Sequence, residues 1–226
     1  MSRMKEYVES LAEWFRGHAD PAKAAPMEAY MRGKFPFLGI KTPERNRLTK
    51  EFWSQHGIPE GDELLDVVKR LWSLPEREFQ NVAMAFLGKH GKRAGKEDIE
   101  TFEELVVTKS WWDTVDYLAS HTMGDHLAKY PELIPLYTER WAASENLWLR
   151  RTAILYQLRY KERTDVGRLF RYIDKCKEEN EFFIRKAIGW ALREYSKTDE
   201  SAVRAFVDKT PLSPLSVREA LKFVSR

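Results

Sequence analysis

Two tryptophans and two carboxylates fall within six residues in Trp111-Trp112-Asp113-Thr114-Val115-Asp116. A carboxylate beside an indole, with no local structural role, is what a reactive or binding site would carry. Ser110 and Asp113 have the spacing of a capping box, which predicts a helix starting there with Asp113 holding its first turn. On that helix Trp111, Val115 and Leu118 share an apolar face that belongs in a core. Trp112 and Asp116 lie four apart on a neighbouring face. No local structural role accounts for Asp116. It is either a site carboxylate or the buried partner of an arginine such as Arg151, and spacing leaves both open.

The elements that must position these residues read as helices throughout. Apolar residues recur at helical spacing near 4–17, 24–33, 43–56, 62–73, 76–90, 97–107, 111–129, 131–142, 146–160, 165–178, 181–196, 200–208 and 214–224. Glycines and prolines fall singly between these segments. Thr42-Pro43 and Ser213-Pro214 each look like an N-cap followed by proline at the first helical position. No long linker interrupts the pattern, which predicts one continuous domain over 1–226.

A repeat underlies the helices. Trp148-Leu149-Arg150-Arg151-Thr152-Ala153 aligns with Phe183-Ile184-Arg185-Lys186-Ala187-Ile188 at an offset of 35, and Tyr160 with Tyr195 at the same offset. Phe79-Gln80-Asn81-Val82-Ala83 precedes Leu149-Arg150-Arg151-Thr152-Ala153 by 70, and Val217-Arg218-Glu219-Ala220 follows Ile184-Arg185-Lys186-Ala187 by 33. All-helical units with a period in the thirties predict a solenoid in which one helix of each repeat lines a concave surface. Arg150, Arg151, Arg185 and Lys186 share repeat positions and are expected to form a cationic stripe suited to regularly spaced phosphates. Trp190 stands between Lys186 and Arg193 on its own helix face, unusual surroundings for a core indole.

Composition narrows the class further. The chain has 226 residues, 43% of them hydrophobic and 32% charged, with a formal net charge of +3. Residues 140–197 hold 14 Lys/Arg against 8 Asp/Glu, so the basic excess lies in the C-terminal half. That distribution suits a polyanion, and equally an ordinary solvated helix face. The start of the chain lacks a signal-peptide pattern, no apolar run has membrane-spanning length, and Cys176 is the one cysteine, so a cytoplasmic location is expected. His18, His56, His90, His121 and His126 are scattered without metal-ligand spacing. There is no glycine-rich phosphate loop, no nucleophile elbow and no zinc-deaminase signature. Trp14, Trp53, Trp72, Trp111 and Trp141 are expected to be packing residues.

Thr108-Lys109-Ser110-Trp111-Trp112-Asp113-x-Val115-Asp116 resembles the central motif of the AlkD-type alkylpurine DNA glycosylases. The resemblance continues in Phe37-Leu38-Gly39-Ile40-x-Thr42-Pro43-Glu44-Arg45 and Leu74-Pro75-Glu76-Arg77-Glu78-Phe79-Gln80. It extends through Glu181-Phe182-Phe183-Ile184-x-Lys186-Ala187-Ile188-Gly189-Trp190-x-Leu192-Arg193-Glu194-Tyr195. These blocks run in order from about residue 20 to the end. The resemblance implies an all-α superhelical solenoid of HEAT-like repeats with a basic concave face for duplex DNA. It implies excision of cationic bases such as 7-methylguanine and 3-methyladenine without a metal; a monomer with no other cofactor and no membrane partner is expected. By that resemblance Asp116, Trp112 and Trp190 act on the deoxyribose, and Arg151, Arg193, Arg159, Tyr30 and Lys41 meet DNA; Lys186, from the cationic stripe, is expected to join them. Two positions depart from the family pattern: Lys41 stands for glutamine, which alters contacts to the opposite strand, and Arg159 for lysine, which keeps charge but not donor geometry.

The chemistry is consistent with this. An N7- or N3-alkylated purine leaves as a neutral base without a general acid, unlike the substrates of two-carboxylate glycosidases. The sugar left behind is oxocarbenium-like, and a carboxylate stabilises it and orients water. The family reads the lesion with the base still stacked instead of flipping it into a pocket. The rival from another class is a helical-repeat scaffold that binds DNA or protein without catalysis.

Overall fold

The computed structural model describes residues 3–224, and among them every regular element is helical. Their contacts group into two compact units, the first ending at Gly95 and the second beginning at Lys96.

The first unit holds α1 (Arg3–Arg16), α2 (Pro21–Tyr30), α3 (Thr42–His56), α4 (Gly61–Ser73) and α5 (Arg77–His90). Its core is Leu11 and Phe15 of α1, Leu48 and Phe52 of α3, Val67 and Leu71 of α4, and Phe79 and Phe86 of α5. These recur at four- and seven-residue steps, as one buried helical face requires. Burying each such side chain stabilises by about 1.5–3 kcal/mol. Asp20 caps α2 by accepting from the N–H groups of Ala22 and Lys23, with Pro21 next, so this helix starts three residues before the expected 24–33. Thr42 is not the expected N-cap: Lys41 holds that position, one residue earlier.

The loop between α2 and α3 is fixed by buried charge. The Glu78 carboxylate, fully buried, accepts the backbone N–H groups of Leu38, Gly39 and Ile40 at 3.0, 3.0 and 3.1 Å. Its neighbour Arg77, also fully buried, lies over the Phe35 ring and donates its backbone N–H to Pro36 O. Gly39 has a φ of +87°, and a Cβ there would overlap the Asp20 carbonyl, so only glycine fits.

The second unit holds α6 (Asp98–Val107), α7 (Trp112–Tyr117), a π-helical segment (Leu118–Met123), α8 (Gly124–Lys129), α9 (Ile134–Ala142), α10 (Leu147–Leu155), α11 (Val166–Cys176), α12 (Phe182–Ser196), α13 (Glu200–Lys209) and α14 (Pro214–Ala220). The helices α7, α10, α12 and α14 begin at Trp112, Leu147, Phe182 and Pro214. Those starts are 35, 35 and 32 residues apart, the period read from the sequence, and each of the four packs against the next. The helix α11 buries Leu169, Tyr172, Ile173 and Cys176 on one stripe, and Ile184, Ala187, Ile188 and Leu192 of α12 continue the same core. Burial pushes the Cys176 thiol up to about 12, which leaves it an inert packing residue.

Three expectations are corrected here. The segment 111–129 is not one α-helix, because the π turns of Leu118–Met123 interrupt it. The helix expected over 146–160 ends at Leu155; the chain then turns so that the Tyr160 hydroxyl donates to Gly124 O at 2.7 Å. Ser110 does not cap α7: its hydroxyl donates to Val106 O at 2.6 Å, closing the end of α6, and Trp111 is the N-cap residue. Ser213 caps α14 as expected, accepting from Ser216 N. Among the described residues, no helix is long and apolar enough to cross a membrane.

Candidate active site and nucleic-acid interface

The short helix α7 sets the central geometry. Trp111, Val115 and Leu118 are buried as their shared face predicts, with Trp111 packed edge-on against Trp148 and Phe183. That anchoring turns Trp112 and Asp116, one helical turn apart, onto a partly open face. The π segment begins two residues after Asp116, and the Ser120 hydroxyl donates to the Asp116 carbonyl at 2.6 Å. Irregular turns of this kind are frequent at functional sites.

Asp116 meets Arg151 across the two helices. Arg151 Nε donates to Asp116 Oδ1 at 2.7 Å and Nη2 to Oδ2 at 2.8 Å, a parallel two-bond pairing. Arg151 Nη1 donates to the carbonyl of Phe183, so one guanidinium joins α7, α10 and α12. The Arg151 side chain is 5% exposed and that of Asp116 is 17% exposed. The arginine is thus closed off, while the carboxylate keeps an accessible edge. Burial pushes the Asp116 carboxyl above the usual carboxylate range, and the two Arg151 hydrogen bonds pull it part of the way back.

Beside this pair, the Tyr117 and His121 rings stack with centroids 4.6 Å apart. They stand four residues apart, a spacing that puts two side chains on one helix face. Arg159, exposed just after α10, pairs with Asp125 at 3.2 Å.

On α12, Trp190 is partly buried and packs against the core of the second unit. It lies seven residues beyond Phe183, about 10 Å along the helix. Lys186 and Arg193, which bracket it, converge on Glu219 of α14 at 2.9 and 2.8 Å. Gly189 permits this approach, since a Cβ there would come within 2.5 Å of Glu219 Cβ.

The expected bare stripe of cations is not what forms. Arg150 is paired with Glu179 at 2.9 and 2.8 Å and donates to Ser144 O. Arg185 donates to Glu179 O and to Asn180, Arg151 to Asp116, and Lys186 to Glu219. Carboxylates neutralise three of these four side chains, and of those pairings only Arg151 with Asp116 was among the alternatives left open by the sequence. Tyr30 and Lys41 belong to the first unit, where both are exposed at the ends of the loop that Glu78 anchors.

The whole chain can now be compared with known proteins. Residues 11–224 match the model of the family described as DNA alkylation repair enzyme. The chain belongs to that family. A predicted DNA alkylation repair enzyme of Enterococcus faecalis is similar at 35% identity and a TM-score of 0.86, over 92% of this chain and 97% of that one. AlkD2 from Streptococcus mutans shares the fold at 20% identity and a TM-score of 0.67, over 99% of this chain and 100% of that one. A further Streptococcus mutans protein shares it at 22% identity and a TM-score of 0.60, over 80% of this chain and 98% of that one. No curated protein matches the chain significantly. The family match includes residues of both compact units.

Proposed function

We propose that this DNA alkylation repair enzyme is a monomeric, single-domain N-glycosylase that hydrolyses the bond between deoxyribose and a cationic alkylpurine in duplex DNA. The observation that carries the reading is the Asp116 carboxylate, fixed by two hydrogen bonds from a buried arginine yet 17% exposed one turn from Trp112.

The alkylated purine departs with the electron pair of the glycosidic bond and becomes neutral. The deoxyribose is left electron-poor at its anomeric carbon. Asp116, rigidly aimed by Arg151, stabilises that charge and orients the water whose oxygen bonds to the anomeric carbon, the proton it loses passing to solvent. Trp112 and Trp190 supply indole faces toward the sugar. Arg151 acts first on Asp116, because its guanidinium is committed to that carboxylate and to Phe183 O. Lys186 and Arg193 on α12, Arg159 after α10, and Tyr30 and Lys41 of the first unit contact DNA, mainly at phosphates. No base-flipping pocket is required, since the reacting bond is reached from the sugar side.

A non-catalytic DNA-binding scaffold is the second reading. The closed Asp116–Arg151 pair favours it, because buried ion pairs also serve purely to hold helices together. Incubating the protein with duplex DNA containing 7-methylguanine and assaying free base separates the two. Release of 7-methylguanine by the wild type but not by Asp116→Asn supports the glycosylase. Binding without release supports the scaffold.

A further inference from the structure

Lys186 and Arg193 flank Trp190 on α12, and both are tied to the same carboxylate. Each oxygen of Glu219 takes one cation: Oε1 accepts from Lys186 Nζ at 2.9 Å and Oε2 from Arg193 Nη1 at 2.8 Å. A carboxylate spread across two cations presents the same pair of anionic oxygens that a phosphodiester presents. We propose that Glu219 is a resident counter-ion at a DNA phosphate site, held by Lys186 and Arg193 until a backbone phosphate of the duplex displaces it. The inference rests on the reading above that this face of α12 meets DNA.

The accessibility of the groups permits the exchange. The side chains of Lys186, Arg193 and Glu219 are 38%, 21% and 18% exposed. The repeat-equivalent pair, Arg151 with Asp116, keeps its arginine closed at 5%. Residue positions 116, 151 and 186 are spaced by 35, and Glu219 follows Lys186 by 33, the offset that aligns the last repeat. The same rung of successive helices therefore carries Asp116, Arg151, Lys186 and Glu219. The two carboxylates are about equally exposed, but the arginine of the first pair is closed off while both cations of the second are open.

Departure of the carboxylate does not require departure of its helix. Ser216, buried, donates to Arg185 O at 3.0 Å and so fixes α14 on α12 independently of Glu219. Gly189 leaves the space into which Glu219 packs. Lys186, Arg193 and Lys222 all act on the Glu219 carboxyl and hold it below its ordinary range, the Lys186 hydrogen bond most strongly, so it is an anion when DNA arrives. The cations outnumber it, and a duplex phosphate finds a net attractive site once the carboxylate moves aside. The consequence is a lowered general affinity: any duplex must compete with an internal anion for this site, which shortens its stay.

The test is binding of a fluorescein-labelled unmodified duplex, followed by anisotropy from about 50 to about 200 mM salt. Each phosphate neutralised contributes about −0.9 to the slope of log affinity against log salt. Glu219→Gln should bind about three- to tenfold more tightly at the low-salt end, with a slope steeper by about 1. Glu219→Met, which keeps the packing on Gly189 without the charge, should do the same, so a folding defect in one variant does not decide the outcome. In a Lys186→Ala/Arg193→Ala background, Glu219→Gln should have no effect. If the double alanine variant lowers the slope while both Glu219 variants leave affinity and slope unchanged, Glu219 is no competitor and the inference is overturned, with the DNA-facing reading intact. If the double variant also leaves the slope unchanged, this face of α12 does not meet DNA, and the reading beneath the inference is lost with it.

Discussion

Asp116 and Arg151 stand 35 residues apart at equivalent positions of successive repeat helices and meet through two parallel hydrogen bonds. The arginine is the more deeply buried of the two. Its job in this arrangement is to aim a carboxylate, and the carboxylate is the group left with an open edge.

Replacing Asp116 by Asn should therefore remove most excision, by about a hundredfold to a thousandfold, the range seen when one preorganised electrostatic group is lost at a reaction centre. Asparagine keeps one acceptor for Arg151, so the helices stay joined. Duplex affinity should change little. Single-turnover release of 7-methylguanine and a binding isotherm on the same protein separate the two effects; equal losses in both would mark Asp116 as merely structural.

The pH profile should follow the same carboxyl. Its folded-state pKa is raised by burial, so excision should fall on acidification with a midpoint above the ordinary aspartate value of about 4. The sign for stability is opposite. Because the folded protein holds this proton more tightly than the unfolded chain, the Asp116 contribution to stability is greatest below the unfolded value. It is lost as pH rises through the folded one. Arg151→Gln removes the group that lowers the pKa and should move the acid limb to higher pH. A rate profile from pH 4 to 8 for both proteins checks the direction, and an unmoved limb would show that Asp116 is not the titrating group.

Glu78 is expected to matter as much as any core residue of the first unit. Its carboxylate satisfies three backbone N–H groups at once. Glu78→Gln leaves one acceptor oxygen for three donors and adds a buried amide, at a cost of about 2–4 kcal/mol. Thermal unfolding should show the loss. Hydrogen exchange should show it concentrated at Leu38, Gly39 and Ile40.

Gly189→Ala tests the seat of α14. The added methyl would meet Glu219 Cβ and crowd Ser216 O at 3.0 Å. Melting should drop by several degrees, as overpacking of about 1–3 kcal/mol implies. A double variant with Glu219→Gly, which removes the Cβ being struck, should regain part of the loss, whereas Glu219→Ala, which keeps that Cβ, should regain little.

Helix existence and period were legible in the linear chain because both follow from apolar spacing, and spacing is local. The repeat starts at Trp112, Leu147, Phe182 and Pro214 are the clearest case. The Trp112–Asp116 face was legible for the same reason. The partners of the charges were not. Glu179 and Glu219 neutralise Arg150 and Lys186 from loops and helices whose approach depends on tertiary packing. Glu78 lay inside a quoted motif, Leu74-Pro75-Glu76-Arg77-Glu78-Phe79-Gln80, beside the other, Phe37-Leu38-Gly39-Ile40, that it binds. Nothing in either string says that one supplies acceptors and the other donors. The π segment escaped because its apolar residues still read as a helix; only the hydrogen-bond register differs.

Those widened turns reconcile two demands on one stretch of chain. Upstream, Asp116 must point at the guanidinium of α10. Downstream, Gly124 must press its bare α-carbon against the Tyr156 carbonyl, where a Cβ would come within 2.5 Å. An ordinary α-helical path advances about 100° per residue and has no slack to serve both. Deleting a single residue between Leu118 and Met123 would let the coil tighten but turn one end away from its target. Length, alongside the buried Leu118, Ala119 and Met123 side chains, is then what this segment cannot trade.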